Sequence, residues 1–281
     1  MLVDSTFNRS LPNDLFAVLD PARDPILFDT MAVLAPDAQC LFGGELADAV
    51  RRASPHLMAM PQPGLLLDWW RQNGRGKSYG IACRGDLGMQ ALRLHLKTLL
   101  RVRLPDGRLV LFRFWDPRVL ETFIKNSTPL EQARLFGPIR TFYGESPEGR
   151  SIAWDRPEGV EVPARSEMQI SPSLWAAFSA VDKVDFRKRL ATMVLNEYQR
   201  FEIVRPETVQ ERIEPMIVRA GEFGFTTEME IAAFVMATLP VGEERLIRTV
   251  GFCSAAFTPD ATPSQRATWL DQAGHEAMAS R

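Results

Sequence analysis

The chain has 281 residues, 46% hydrophobic and 24% charged, with a formal net charge of −2 and a pI near 6.0. That length suits two domains, and the composition is that of a folded globular protein. The near-neutral charge argues against a dedicated nucleic-acid binder, and three scattered cysteines argue against a disulfide framework or zinc knuckle.

Cys40, Cys83 and Cys253 are each read as small buried apolar residues in a reducing compartment. Met1 to Pro12 lacks a basic start followed by an apolar run of signal-peptide length, and no stretch approaches the roughly 18 apolar residues of a membrane span. A cytoplasmic location is expected.

In chain order, Leu15–Leu19 is an apolar run stopped by Asp20-Pro21, which predicts a strand buried on both faces. Ile26–Leu34 predicts a short helix, His56–Met60 a strand, Leu65–Gln72 a helix ending at Asn73-Gly74, and Ser78–Cys83 a third strand. Asp86 is placed to cap the next helix, whose Leu92, Leu96 and Leu99 share one face. Leu99–Leu104 and Leu109–Phe114 flank Pro105-Asp106-Gly107-Arg108, which predicts an antiparallel hairpin because glycine adopts positive φ at little cost. Antiparallel pairing there argues against a purely parallel, doubly wound sheet. Asp116-Pro117 opens a helix carrying Val119, Leu120, Phe123 and Ile124; a helix over 129–136 and a strand over 139–143 follow.

The breaker-dense stretch 144–172 reads as a linker or irregular edge, and from Ser173 onward the pattern is helical. One stripe joins Phe186, Leu190, Met193, Val194 and Tyr198, and another joins Val209, Ile213, Met216, Ile217 and Ala220 after Pro206. Pro215 predicts a kink or early break in the second. Thr227–Glu230 and Thr262–Gln265 fit capping boxes. The expected fold is α+β in two lobes: an N-terminal α/β lobe with a mixed sheet over 1–150, a linker over 151–171, and an all-helical lobe over 172–281.

Chemistry is sparse. Gly76-Lys77-Ser78 resembles the end of a phosphate-binding loop, but the glycine required five residues earlier is Arg71, and a helix precedes where a strand is required. It reads as a helix-to-strand turn. His56, His95 and His275 are not at ligand spacing, and no nucleophile elbow is present. No metal, cofactor or nucleotide is expected. Asp20, at a strand end, reads as a helix cap or a partner of local backbone N–H groups. Arg113-Phe114-Trp115-Asp116-Pro117-Arg118 reads as an internal Arg–Asp pair at a strand–helix junction, with anion or peptide recognition as the functional alternative. Arg101, Arg103, Arg108 and Arg113 form the one candidate basic patch.

The segment Phe112 to Leu120 resembles the signature of the type VI secretion effector-adaptor family, also filed as domain-of-unknown-function family 4123. Cys40-Leu41-Phe42-Gly43-Gly44 is similar to that family's Ser-Leu-Phe stretch, and Ala53-Ser54-Pro55-His56-Leu57 to its Ala-Pro-Tyr-Leu stretch, with His in place of the aromatic. Leu19-Asp20 and Ser78-Tyr79-Gly80-Ile81 complete a resemblance over roughly residues 14 to 140. The resemblance implies a non-enzymatic adaptor or chaperone that binds a secreted effector and helps load it onto the VgrG spike. It makes Asp20, Arg113, Trp115, Asp116, Pro117 and Arg118 signature residues, structural or partner-binding. Candidate effector contacts, chosen as aromatic or Met-bearing surface, are Trp69, Trp70, Trp175, Met216 and Met229. The alternative is a small-molecule hydrolase with its site near Asp20 and Arg113.

Overall fold

The computed structural model describes residues 15–61, 63–85, 88–146, 149–160, 167–198, 203 and 205–279. The chain divides into two compact units, Met1–Ala180 and Val181–Arg281. The first is α/β and the described part of the second is helical, so the fold is α+β.

In the first unit, β1 (Leu15–Leu19), β2 (Gln39–Cys40), β3 (His56–Ala59), β4 (Gly80–Gly85), β7 (Ile139–Glu145) and β8 (Ser151–Asp155) form one sheet in the order β2-β3-β1-β4-β7-β8. Every pair in it is antiparallel. The mixed pairing lies in a second, three-stranded sheet: β6 (Leu109–Leu111) and β5 (Arg101–Arg103) are antiparallel, and β5 and β9 (Met168–Gln169) are parallel.

β1 is buried along its whole length because both faces of the large sheet are covered. The alternation of strand side chains divides it. Phe16 and Val18 enter one core with Leu92, Leu96 and Leu99 of α4 (Met89–Leu99), Leu120 and Phe123 of α5 (Pro117–Asn126), and Leu135 and Phe136 of α6 (Pro129–Phe136). Leu15, Ala17 and Leu19 enter the other with Leu27 and Met31 of α1 (Ile26–Leu34) and Leu66 and Leu67 of α3 (Leu65–Asn73). A short α2 (Asp48–Arg52) precedes β3. At the hairpin, Gly107 takes φ +86 and its N–H donates to the Leu104 carbonyl at 2.9 Å, closing the expected Asp-Gly turn.

The stretch expected to be a linker differs. Residues 151–155 add β8 to the sheet edge, and 168–169 add β9 beside β5. Leu174, fully buried in the first core, lies beyond the expected boundary at 172; the division falls instead inside α7 (Pro172–Tyr198). Proline and glycine density marked irregular backbone there but carried no information about long-range pairing. The expected Asp86 cap lies outside the described residues.

In the second unit, α7 is followed by α8 (Val209–Glu222), α9 (Glu228–Val241), α10 (Glu243–Leu246), α11 (Val250–Phe257) and α12 (Pro263–Ala279). Leu190, Val194, Val209 and Ile213 pack together with Val235 and Leu239 of α9. The two apolar stripes read from the sequence are therefore largely this unit's own core. Met193 departs from its stripe and is exposed. Pro215 does not break α8, which begins at Val209 rather than Pro206. Burial of Ile213 and Ala220 on either side holds the helix across the missing N–H. Both capping boxes form, with Glu230 and Gln265 accepting from the cap residues.

Among the cysteines only Cys83 is fully buried; Cys40 is half-buried and Cys253 is exposed, which corrects their common assignment to the core. Among the described residues, no helix is long and apolar enough to cross a membrane, and no group of three metal-ligating side chains occurs.

Candidate functional site

The signature segment begins where β6 leaves the small sheet. Alternation sends Phe112 and Phe114 into the core and Arg113 outward. The Arg113 Nη2 then meets Oδ2 of Asp20 at 2.5 Å, across 93 residues of sequence. Asp20 is only 2% exposed, and its other carboxylate oxygen accepts from the Ala22 N–H at 3.2 Å. The expected role for Asp20 toward local backbone is present, but its charge is balanced by Arg113, one of the two arginines that flank Asp116 in the sequence.

Asp116 is the N-cap of α5. Its Oδ1 accepts from the Arg118 backbone N–H and Nε, each at 3.0 Å, and its Oδ2 from Arg118 Nη2 at 2.7 Å. Burial pushes its carboxyl up, but the Arg118 hydrogen bonds and charge outweigh that and leave it below the usual aspartate range. Pro117 at the first helical position has no N–H to leave unsatisfied. Asp116→Ala is expected to cost about 2 kcal/mol, the upper end of a lost cap, with the half-exposed Arg118 pair adding little. Thermal melting checks this, and an unchanged midpoint with lost partner binding would assign Asp116 to recognition instead.

Trp115 lies between the rings of Phe114 (5.2 Å) and Phe42 (6.2 Å), both in edge contact. Phe42 belongs to the Cys40–Gly44 stretch, which is anchored by Arg93: its Nη2 and Nε donate to the Cys40 carbonyl at 2.9 and 3.2 Å. That contact uses the backbone, so cysteine serves there as well as serine. His56, standing where the resembled family has an aromatic, packs edge-on to Phe28 at 5.6 Å and hydrogen-bonds through Nδ1 to the Ser54 carbonyl.

Burial lowers the pKa of His56 and of His95, each partly offset by a backbone carbonyl, that of Ser54 and that of Leu135. Both rings are therefore harder to protonate in the fold than in the unfolded chain. Below about pH 6.5 the unfolded chain binds more protons, so stability falls as pH falls, by up to about 1.4 kcal/mol per pH unit per histidine. Urea unfolding at pH 8 and pH 5.5 is expected to show this loss, and His56→Gln with His95→Gln should flatten it.

The Gly76-Lys77-Ser78 turn joins helix α3 to strand β4, as read from the sequence. Its backbone donors face an anion supplied by the chain itself: Glu145 accepts from the Gly76 N–H at 2.8 Å and from the Ser78 N–H. A carboxylate thus fills the position that a phosphate takes in a true phosphate-binding loop. Beside it a cavity of about 330 Å³ is lined by Leu67, Trp70, Arg71, Arg75, Tyr143 and Glu145. A more open cleft of about 830 Å³ is lined by Cys40, Phe42, Glu45, Arg51, Arg93 and Lys97. Neither cavity is lined by Asp20 or Arg113. Cys83, its thiol pushed up to about 12 by burial, is unsuited to act as a nucleophile.

The candidate contact residues separate by exposure. Trp69 and Trp70 are half-buried against the second core, with Trp69 stacked on Tyr79 at 6.1 Å. Met216 is packed into the helical unit, whereas Trp175 (37% exposed) and Met229 (54%) stand at the surface. In the basic patch, Arg103 is paired with Glu167, Arg108 with Asp106 and Arg113 with Asp20.

Residues 15–134 match the family model described as Domain of unknown function (DUF4123). This DUF4123 region holds the Asp20–Arg113 pair, the Trp115 packing site and the Asp116 cap, and ends within α6. It covers less than half of the chain. No curated protein and no solved structure matches the chain.

Proposed function

We propose that the protein is a non-enzymatic adaptor, which binds a secreted effector in the cytoplasm and helps load it onto the VgrG spike of a type VI secretion system. The observation that carries the reading is how the signature segment is used. Its charged groups are bound within the fold and its aromatic rings are buried, so the segment builds a scaffold and presents no poised acid, base or nucleophile. The resemblance over residues 14 to 140 supplies the adaptor role, and the DUF4123 match is consistent with it.

Surface composition supports partner binding. Trp175, Val250, Phe257 and Met229 are large apolar side chains standing at the surface, the type that protein partners cover. A hydrolase centred on Asp20 and Arg113 is less favoured, because the carboxylate is buried and held by the guanidinium. Deleting the gene is expected to abolish delivery of the effector encoded beside it while delivery of other effectors continues. Undiminished delivery of that effector would overturn the proposal.

A further inference from the structure

The small sheet has an open edge at β6. In its pairing with β5, the Phe112 N–H donates to the Leu100 carbonyl and the Leu104 N–H to the Arg108 carbonyl, each at 2.9 Å. Val102 therefore exchanges bonds with Val110, and the intervening positions 109 and 111 do not bond to β5. The N–H and C=O groups of Leu109 and Leu111 point away from the sheet. Among the described residues no strand pairs with that side.

The side chains at these positions are also unusual for an unprotected edge. Natural edges are blunted by lysine, proline or inward charge. Here Leu109 is 48% and Leu111 51% exposed, on the face opposite the core. Arg101 lies directly across from Leu111, while Arg113, two residues beyond β6, is already paired with Asp20. Arg101 is exposed, and no acidic partner for it is found among the described residues. Arg103 and Arg108 are already paired, so the face carries a local positive charge beside two leucines rather than a broad cationic surface. That arrangement fits a polypeptide better than a nucleic-acid backbone, which needs several free cations in a row.

We propose that β6 is a docking edge for an extended segment of the protein partner, which adds as a further strand through the backbone of Leu109 and Leu111. The segment carries two apolar side chains over these leucines and an acidic side chain on the same face toward Arg101. Backbone bonding supplies the attachment, and the apolar and acidic side chains supply selectivity. The adaptor reading contributes only that the partner is a protein.

The probe is the peptide Glu-Thr-Ile-Thr-Ile-Thr-Glu with blocked ends, which places both Ile and both Glu on one face in either strand direction. Titrated into the ¹⁵N-labelled full chain, it is expected to move the amide signals of Leu109 and Leu111 most and to slow their hydrogen exchange. Leu111→Pro removes an outward N–H that β5 does not use, and Arg101→Glu reverses the free charge; each should weaken binding at least tenfold. Largest shifts elsewhere, no binding, or affinity in both variants unchanged from that of the unsubstituted chain would overturn the proposal. So would a homodimer that Leu111→Pro dissolves, or Arg101-dependent binding of a single-stranded oligonucleotide that the peptide does not displace. If the full chain captures its effector and Leu111→Pro captures it equally well, the edge is excluded and the adaptor reading stands. If the peptide docks as described and no product of the adjacent genes binds, the adaptor reading fails and the edge stands.

Discussion

Gly80→Ala is expected to destabilise the protein by about 3 kcal/mol or more, the upper range for forcing extra atoms into a packed core. Gly80 pairs with Leu19 where β4 runs beside β1. A Cβ at this position would lie 2.0 Å from the Val18 carbonyl oxygen and 3.0 Å from the Leu19 Cα. Both are backbone atoms of the central strand, so no side-chain rotation relieves the clash; β1 and β4 must separate. The neighbouring Asp20 N–H donates to the Tyr79 carbonyl across the same pair of strands, so the Asp20–Arg113 contact should loosen with them. The melting midpoint should fall by roughly 6 °C or more, taking 2–4 °C per kcal/mol for a chain of this size. Gly88→Ala is the control: nothing lies within 4 Å of its Cβ position and its φ is −67. Equal melting of the two variants would mean that the β1–β4 approach is not as close as described.

Trp115→Ala should cost about 3–5 kcal/mol, the range for deleting a buried aromatic. Trp115 is 2% exposed and joins the Phe42 loop to the core beneath α5. Its removal opens a cavity between two rings that are themselves anchored, Phe114 by its full burial in the core and Phe42 by the Arg93 contact to Cys40. Those neighbours are poorly placed to collapse into the space. Trp115→Phe retains most of the packing and should cost markedly less. Urea unfolding of both variants separates a packing role from recognition: a stable Trp115→Ala protein that no longer binds its partner would make the residue a contact.

Much of this fold was legible locally. β1, α4 and α5 follow from an unbroken apolar run, a helical stripe and an Asp-Pro cap, all of which are short-range physics. The hairpin follows from Asp106-Gly107 for the same reason. What escaped depends on distant partners. β9 is two residues long and exists only because β5 lies beside it, and β8 is recruited by β7 from a stretch rich in breakers. Arg113 had a local acid available in Asp116, yet it pairs with the distant Asp20, while Asp116 took Arg118, the second residue of α5. Glu145 reaching the Gly76 and Ser78 N–H groups across nearly seventy positions is likewise invisible to spacing rules, though it explains why that turn needs no phosphate. The open edge at β6 was half legible: the sequence marked Arg101, Arg103, Arg108 and Arg113 as a candidate basic patch, but only the pairings show that, among the described residues, Arg101 is the one of the four with no acidic partner.

The most direct test of the adaptor role is a binding measurement with purified proteins: the intact chain titrated by calorimetry with the effector encoded by the adjacent gene, then with the VgrG protein of the same cluster. The expected result is a saturable, stoichiometric complex with the effector that still accepts VgrG. Failure of the folded, intact chain to bind either protein would contradict the adaptor role.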